Sequence, residues 1–242
     1  MKLLYSIILT VTTLSGCTKK NVDIAYATNT PTKPDTIVKV DSLSYIALGD
    51  SYTIGQSVPL TDSYPYQVTG LLKNDGLPVS VPKIIAITGW TTDNLIAAIN
   101  QRGLIGKKYD FVTLLIGVND QYQGLSQANY KTKFAQVLNT AITFAKGDTS
   151  RVFVLSIPDY GVTPFANGND AVIGPLIDQF NAINKKISLA AGVHYLDITG
   201  ISRNAAMDAS LVAPDGLHPS SKMYTEWVNL LEPMVKARLK MK

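Results

Sequence analysis

Short apolar runs alternate with longer amphipathic stretches through most of this chain, and that alternation narrows the folds open to it. Residues 45–48, 83–87, 111–116, 152–157 and 193–198 are short, rich in Val, Ile, Leu, Phe and Tyr, and read as strands. Between them 63–74, 92–102, 126–146 and 173–191 carry helical spacing, as does a last stretch near 220–240. No fixed-period repeat is visible. Parallel strands need a crossover between them, usually a helix, so strictly alternating elements imply a mainly parallel sheet covered on both faces. The expected fold is α/β, a three-layer α/β/α sandwich with a mainly parallel central sheet.

The N-terminal end does not follow this pattern. Lys2 precedes an apolar run over 3–14, then Leu14-Ser15-Gly16-Cys17. A dozen apolar residues cannot span a bilayer as a helix but suit the apolar region of a secretory signal. The small residues before Cys17 resemble a bacterial lipobox, in which the signal peptide is cut before the cysteine and the cysteine is lipidated. An ordinary signal peptide with an incidental cysteine is the alternative. Residues 18–41 are rich in Thr, Asn, Lys and Pro without apolar periodicity, which reads as a tether. The expected organisation is therefore 1–16 signal peptide, 17–41 lipid-anchored tether and 42–242 folded domain. The protein is expected at a bacterial cell envelope, periplasmic or surface-facing, held to the membrane through Cys17.

About 200 residues remain for one domain with a sizeable core. The formal charge is +4, yet Lys2, Lys19, Lys20, Lys33 and Lys39 all precede residue 42, so the domain itself is close to neutral. No basic cluster with interleaved aromatics marks it for nucleic acid. A lysine-rich tether beside an anionic membrane accounts for the charge. One cysteine forms no internal disulfide, and with two histidines it builds no typical zinc centre. Neither a Walker-type phosphate loop nor a Gly-rich dinucleotide fingerprint is present, so no cofactor is implied. The domain is expected to act as a monomer.

Polar residues follow the first three strands: Gly49-Asp50-Ser51, then Gly89, then Gly117-Val118-Asn119-Asp120. In open α/β sheets ligands bind in the crevice beyond the carboxyl ends of the strands, so three independent segments deliver these residues to one edge. A fourth block, Asp215-Gly216-Leu217-His218, places one of the two histidines three residues after an aspartate. A serine hydroxyl is a weak nucleophile at neutral pH and needs such a base. Taken alone, Gly49-Asp50-Ser51 could equally be a helix cap.

In their order and separation, Ile46-Ala47-Leu48-Gly49-Asp50-Ser51-Tyr52, Ile87-Thr88-Gly89-Trp90, Ile116-Gly117-Val118-Asn119-Asp120 and Asp215-Gly216-Leu217-His218-Pro219 resemble the SGNH, or GDSL, hydrolases. Tyr52 stands where leucine is common in that family, and the resemblance runs from about residue 45 to 227. It implies a flavodoxin-like sandwich and a serine esterase forming an acyl-enzyme. It also implies Ser51 as nucleophile, His218 as base, Asp215 as its orienting acid, and an oxyanion hole from the N–H groups of Ser51 and Gly89 and the Asn119 amide. The expected substrates are carbohydrate or lipid esters of the envelope or its surroundings. An inactive binding module of the same fold and an acyltransferase using the same triad stay open. The Gly-x-Ser-x-Gly elbow of α/β-hydrolases does not match, since residue 53 is Thr and the block follows the first strand.

Other residues have plainer readings. His194 lies inside an apolar strand pattern and reads as a hydrogen-bonded core or surface histidine, not a catalytic one. Asp50 and Asp120 read as turn organisers, with Asp120 also able to hold neighbouring blocks together. Asp215 could be a turn residue alone, leaving a carboxylate such as Asp159 to support His218. Tyr52, Trp90, Tyr122, Tyr160 and Phe165 fall near the expected site, where they could stack on a sugar, line an acyl pocket or simply pack the loops.

Overall fold

A computed structural model of the protein describes residues 42–241; the signal and tether expected over 1–41, with Cys17, lie outside the described residues. Five strands, β1 (Tyr45–Gly49), β2 (Lys83–Ala86), β3 (Phe111–Leu115), β4 (Val152–Leu155) and β5 (His194–Leu196), pair in parallel in the order β2-β1-β3-β4-β5. Among the described residues eight α-helices accompany them: α1 (Ser51–Ile54), α2 (Tyr64–Asn74), α3 (Thr92–Gln101), α4 (Val118–Tyr122), α5 (Gln127–Phe144), α6 (Asp170–Ala190), α7 (Thr199–Arg203) and α8 (Ser221–Lys240). Among the described residues no helix is long and apolar enough to cross a membrane.

The strand order decides the layers. From β1 the chain crosses to β2 on one side, then back over β1 to β3 and onward in that direction. Right-handed crossovers therefore place α2 on one face and α3, α5 and α6 on the other. The packing agrees, with α2 against α8 and α5 against both α3 and α6. Both faces being covered, β1, β3 and β4 are buried along their whole length. Tyr64, Tyr224 and Trp227 fill one side, and Tyr130, Phe134 and Phe180 the other. The reversal of strand order at β1 makes the crevice beyond β1 and β3 the natural ligand site of such a sheet.

The five long helices fall where helical spacing put them, α6 starting earlier, at Asp170. The one-turn helices α1, α4 and α7 were not anticipated, because four or five residues show no apolar period. Two of them carry candidate site residues.

Candidate active site

Ser51 is the first residue of α1, directly beyond β1. Asp50 caps the helix, its Oδ1 accepting from the Tyr52 N–H at 3.0 Å. Gly49 leaves no room for a side chain, since a Cβ would collide with Thr53 and the Leu115 carbonyl. The strand can thus turn into the helix tight against β3, which presents the serine at the sheet edge. At this first helical position the Ser51 N–H has no acceptor within the helix. Asp50 is fully buried, its Oδ2 has no partner among the described residues, and burial, aided by nearby Asp120, pushes its carboxyl up to about 8.

His218 and Asp215 sit in a tight loop between α7 and α8, closed by the Ala213 N–H donating to the His218 carbonyl at 2.7 Å. Asp215 Oδ1 accepts from the N–H groups of Leu217 and His218, each at 3.0 Å, and Oδ2 lies 2.6 Å from His218 Nδ1. One side chain thus shapes the turn and faces the imidazole. Asp159 is engaged elsewhere, buried and paired to Arg203 at 2.9 Å, so the alternative of Asp159 behind His218 is not what the structure places. Burial raises the Asp215 carboxyl, but hydrogen bonds from Ser57, from backbone N–H groups and from His218 outweigh it and hold it well below the usual carboxylate range.

Gly89 and Asn119 complete the constellation. Gly89 holds φ +81°, which favours glycine; an added Cβ would meet nothing, so the backbone conformation rather than space fixes this residue. Asn119, on α4, donates one Nδ2 hydrogen to the Trp90 carbonyl at 3.0 Å, and Gln123 Nε2 donates to the Gly89 carbonyl at 3.2 Å. Asp120 accepts from the Thr92 N–H at 3.0 Å and the Thr92 hydroxyl at 2.6 Å, joining the blocks after β2 and β3. Among the described residues the Gly89 N–H makes no hydrogen bond, which leaves it free for a ligand.

Ser51, Gly89, Asn119 and His218 all line one pocket of about 230 Å³. Its remaining wall is mostly apolar, from Tyr52, Val118, Leu217 and a cluster of Tyr122, Tyr160 and Phe165. Those three rings lie 6.0–6.3 Å apart between centroids, and the Tyr160 hydroxyl donates to Gln121 at 3.0 Å. The Tyr52 ring meets His218 edge-on at 5.7 Å. Trp90 does not line the pocket and lies under Arg102 instead, 5.6 Å from ring to guanidinium. No hydrogen bond joins Ser51 to His218 here; such contacts are often loose without substrate. His194 is half-buried on β5, stacked on Phe153 at 5.0 Å, and burial lowers its pKa. Among the described residues no group of three or more His, Cys, Asp or Glu is placed to hold a metal ion.

One contact had no signal in the sequence. Ser57, three residues past α1, donates its hydroxyl to Asp215 Oδ2 at 2.6 Å.

The model of the GDSL-like lipase/acylhydrolase family matches residues 47–225, and the chain belongs to that family. No curated protein matches it by sequence. Among solved structures it is similar to a lipase/acylhydrolase from Enterococcus faecalis, at 20% identity and TM-score 0.65 over 83% of this chain and 98% of that one. It is similar to TesA, at 16% identity and TM-score 0.63 over 81% and 99%. An acetylxylan esterase, Axe2 from Geobacillus stearothermophilus, is 18% identical with TM-score 0.61 over 83% and 95%. At these identities the structures share the fold. The family sets the general chemistry, hydrolysis of esters.

Proposed function

We propose that this protein is a serine esterase that cleaves carboxylic esters through an acyl-enzyme, with a short to medium acyl chain held against the Tyr122-Tyr160-Phe165 wall. The observation that carries it is the 2.6 Å contact of His218 Nδ1 with Asp215 beside a pocket that Ser51 also lines.

With Nδ1 held by the carboxylate, His218 keeps Nε2 free as the base. Ser51 Oγ attacks the ester carbonyl as its proton passes to Nε2, and Asp215 stabilises the imidazolium formed. The oxyanion is met by the N–H groups of Ser51 and Gly89 and the second Nδ2 hydrogen of Asn119. His218 then returns the proton to the departing alcohol, and water repeats the sequence on the acyl-enzyme. An apolar wall suits an acyl chain because each buried methylene gains about 0.8 kcal/mol. A binding module without chemistry would have no need of nucleophile, base, acid and donors in one pocket.

The proposal includes a place: a bacterial cell envelope, reached through a lipidated Cys17 with 18–41 as tether. Envelope or extracellular carbohydrate and lipid esters are the accessible substrates there. Turnover of p-nitrophenyl esters from acetate to palmitate, with Ser51→Ala in parallel, tests the reading. Ser51→Ala is expected to lower turnover roughly 10⁴–10⁶-fold with the fold intact. Near-normal turnover by this variant removes Ser51 from the mechanism. A peak at acetate would turn the aromatic wall from an acyl site into a platform for the alcohol side, as for a sugar. Transfer of the acyl group to a sugar instead of water would show in the products.

A further inference from the structure

The turn that leaves the helix of Ser51 makes two contacts that the chemistry above does not use. After α1 the chain runs through Gly55, Gln56, Ser57 and Val58. Gln56 Oε1 accepts a hydrogen bond from the Thr88 hydroxyl, next to Gly89. Ser57 Oγ donates at 2.6 Å to Asp215 Oδ2, the oxygen that also lies 2.6 Å from His218 Nδ1. The nucleophile's own turn therefore touches both the glycine loop and the acid behind the base.

Ser57 holds this contact in an unusual way. Its φ is +67°, in the left-handed region that residues other than Gly, Asn and Asp rarely occupy. The residue is exposed, so burial of its side chain does not account for the conformation. Strain of this kind persists where the surroundings over-determine it, and here the visible partner is the Asp215 carboxylate. Asp215 Oδ1 is already engaged by the N–H groups of Leu217 and His218. Those bonds orient the carboxylate within its own loop but do not tie that loop to Ser51. The Ser57 hydroxyl links the two segments across 158 residues of sequence.

We propose that Ser57 is a positioning residue for ester hydrolysis: it fixes the Asp215 carboxylate to the turn following the nucleophile, so that His218 and Ser51 keep a set separation. This rests on the esterase reading above. It acts through Asp215 and touches no substrate, so its loss should appear in kcat and leave KM nearly unchanged.

Two variants separate the hydroxyl from the backbone. Ser57→Ala removes the donor and keeps the strain. Ser57→Gly removes the donor and relieves the strain, because glycine takes positive φ freely. Both are measured for kcat, KM and Tm, with Ser51→Ala alongside. The rate at which a fluorophosphonate labels Ser51 reports nucleophile activation without any choice of ester. Loss of a hydrogen bond to a charged group is expected to lower kcat and labelling rate roughly 10–100-fold in both variants, at unchanged KM, with Ser57→Gly melting at or above wild type. Wild-type kcat in Ser57→Gly overturns the proposal, and so does a change in KM alone, or a kcat loss confined to a variant that melts early. If Ser51→Ala retains full turnover and the probe does not label Ser51, the esterase reading falls and the role of Ser57 with it. An inactive Ser51→Ala beside a fully active Ser57→Gly rejects the role of Ser57 alone.

Discussion

Asp50 has one oxygen capping α1 and the other buried without a partner among the described residues. A carboxylate there lacks both water and a counter-charge, so the proton is retained up to about 8, against 3.8 for a free carboxyl. The linkage has a definite sign. A folded-state pKa above the unfolded one gives stability that is full at low pH and is lost as pH rises through about 8. Asp50→Asn keeps an N-cap acceptor and cannot ionise. Its Tm is expected to draw ahead of wild type as pH rises from about 3.8 to about 8 and to keep a constant lead above that, by roughly 2–4 °C for each kcal/mol gained. Parallel Tm curves across the range would mean that Asp50 ionises without cost. The same scale shows what local sequence can reveal. Asp215 and His218 are three residues apart, so one turn fixes their contact, and Gly49-Asp50-Ser51 is a strand end joined to a capped helix. Ser57 carries no such local sign, because its partner is distant in sequence and a positive φ on serine leaves no pattern.

At the level of elements, strands and long helices were legible because periodicity and apolar runs follow directly from which faces are buried. Ends of strands shifted by a residue or two where the apolar run outlasts the ladder, as at residues 87 and 116, which follow the last paired residues of β2 and β3. The aromatic wall was only half legible: Tyr122 ends α4 while Tyr160 and Phe165 belong to the connection after β4, and only the folded sheet edge brings them together. Trp90 shows the converse, an aromatic in a motif block that packs on Arg102 instead of the pocket. Phe165 is 48% exposed, so trimming it should spare the fold while removing acyl contact. In the wild type, specificity is expected to rise about fourfold per added methylene until the wall is covered, from about 0.8 kcal/mol each. Phe165→Ala should flatten that rise, losing more kcat/KM on an octanoate ester than on acetate. Equal losses on both would place Phe165 outside the acyl site.

For the whole molecule, composition and alternation gave the class of fold but not the strand order. Which strands become neighbours is set by pairings across long separations, and handedness only narrows the choice. The reversal at β1 is nonetheless what gathers residues from four separated blocks at one edge, so function depends on the least legible feature of the fold. The proposed anchor belongs to this scale too. Stable attachment takes two acyl chains, or one chain joined by a basic segment, and a lipidated Cys17 would have Lys19 and Lys20 beside it, each basic residue near an anionic surface adding about 1 kcal/mol. In a bacterial host the full chain is therefore expected in the membrane fraction and in the detergent phase on partitioning, carrying metabolically incorporated fatty acid. Cys17→Ser should abolish the lipid label and release most of the protein from the membrane fraction, unless an uncleaved signal retains it, which would show as a larger chain. Ester turnover per molecule should be unchanged, since every residue assigned to the site lies between Ser51 and His218. A Cys17→Ser protein that is processed normally yet stays membrane-bound would mean that attachment rests on something other than this cysteine.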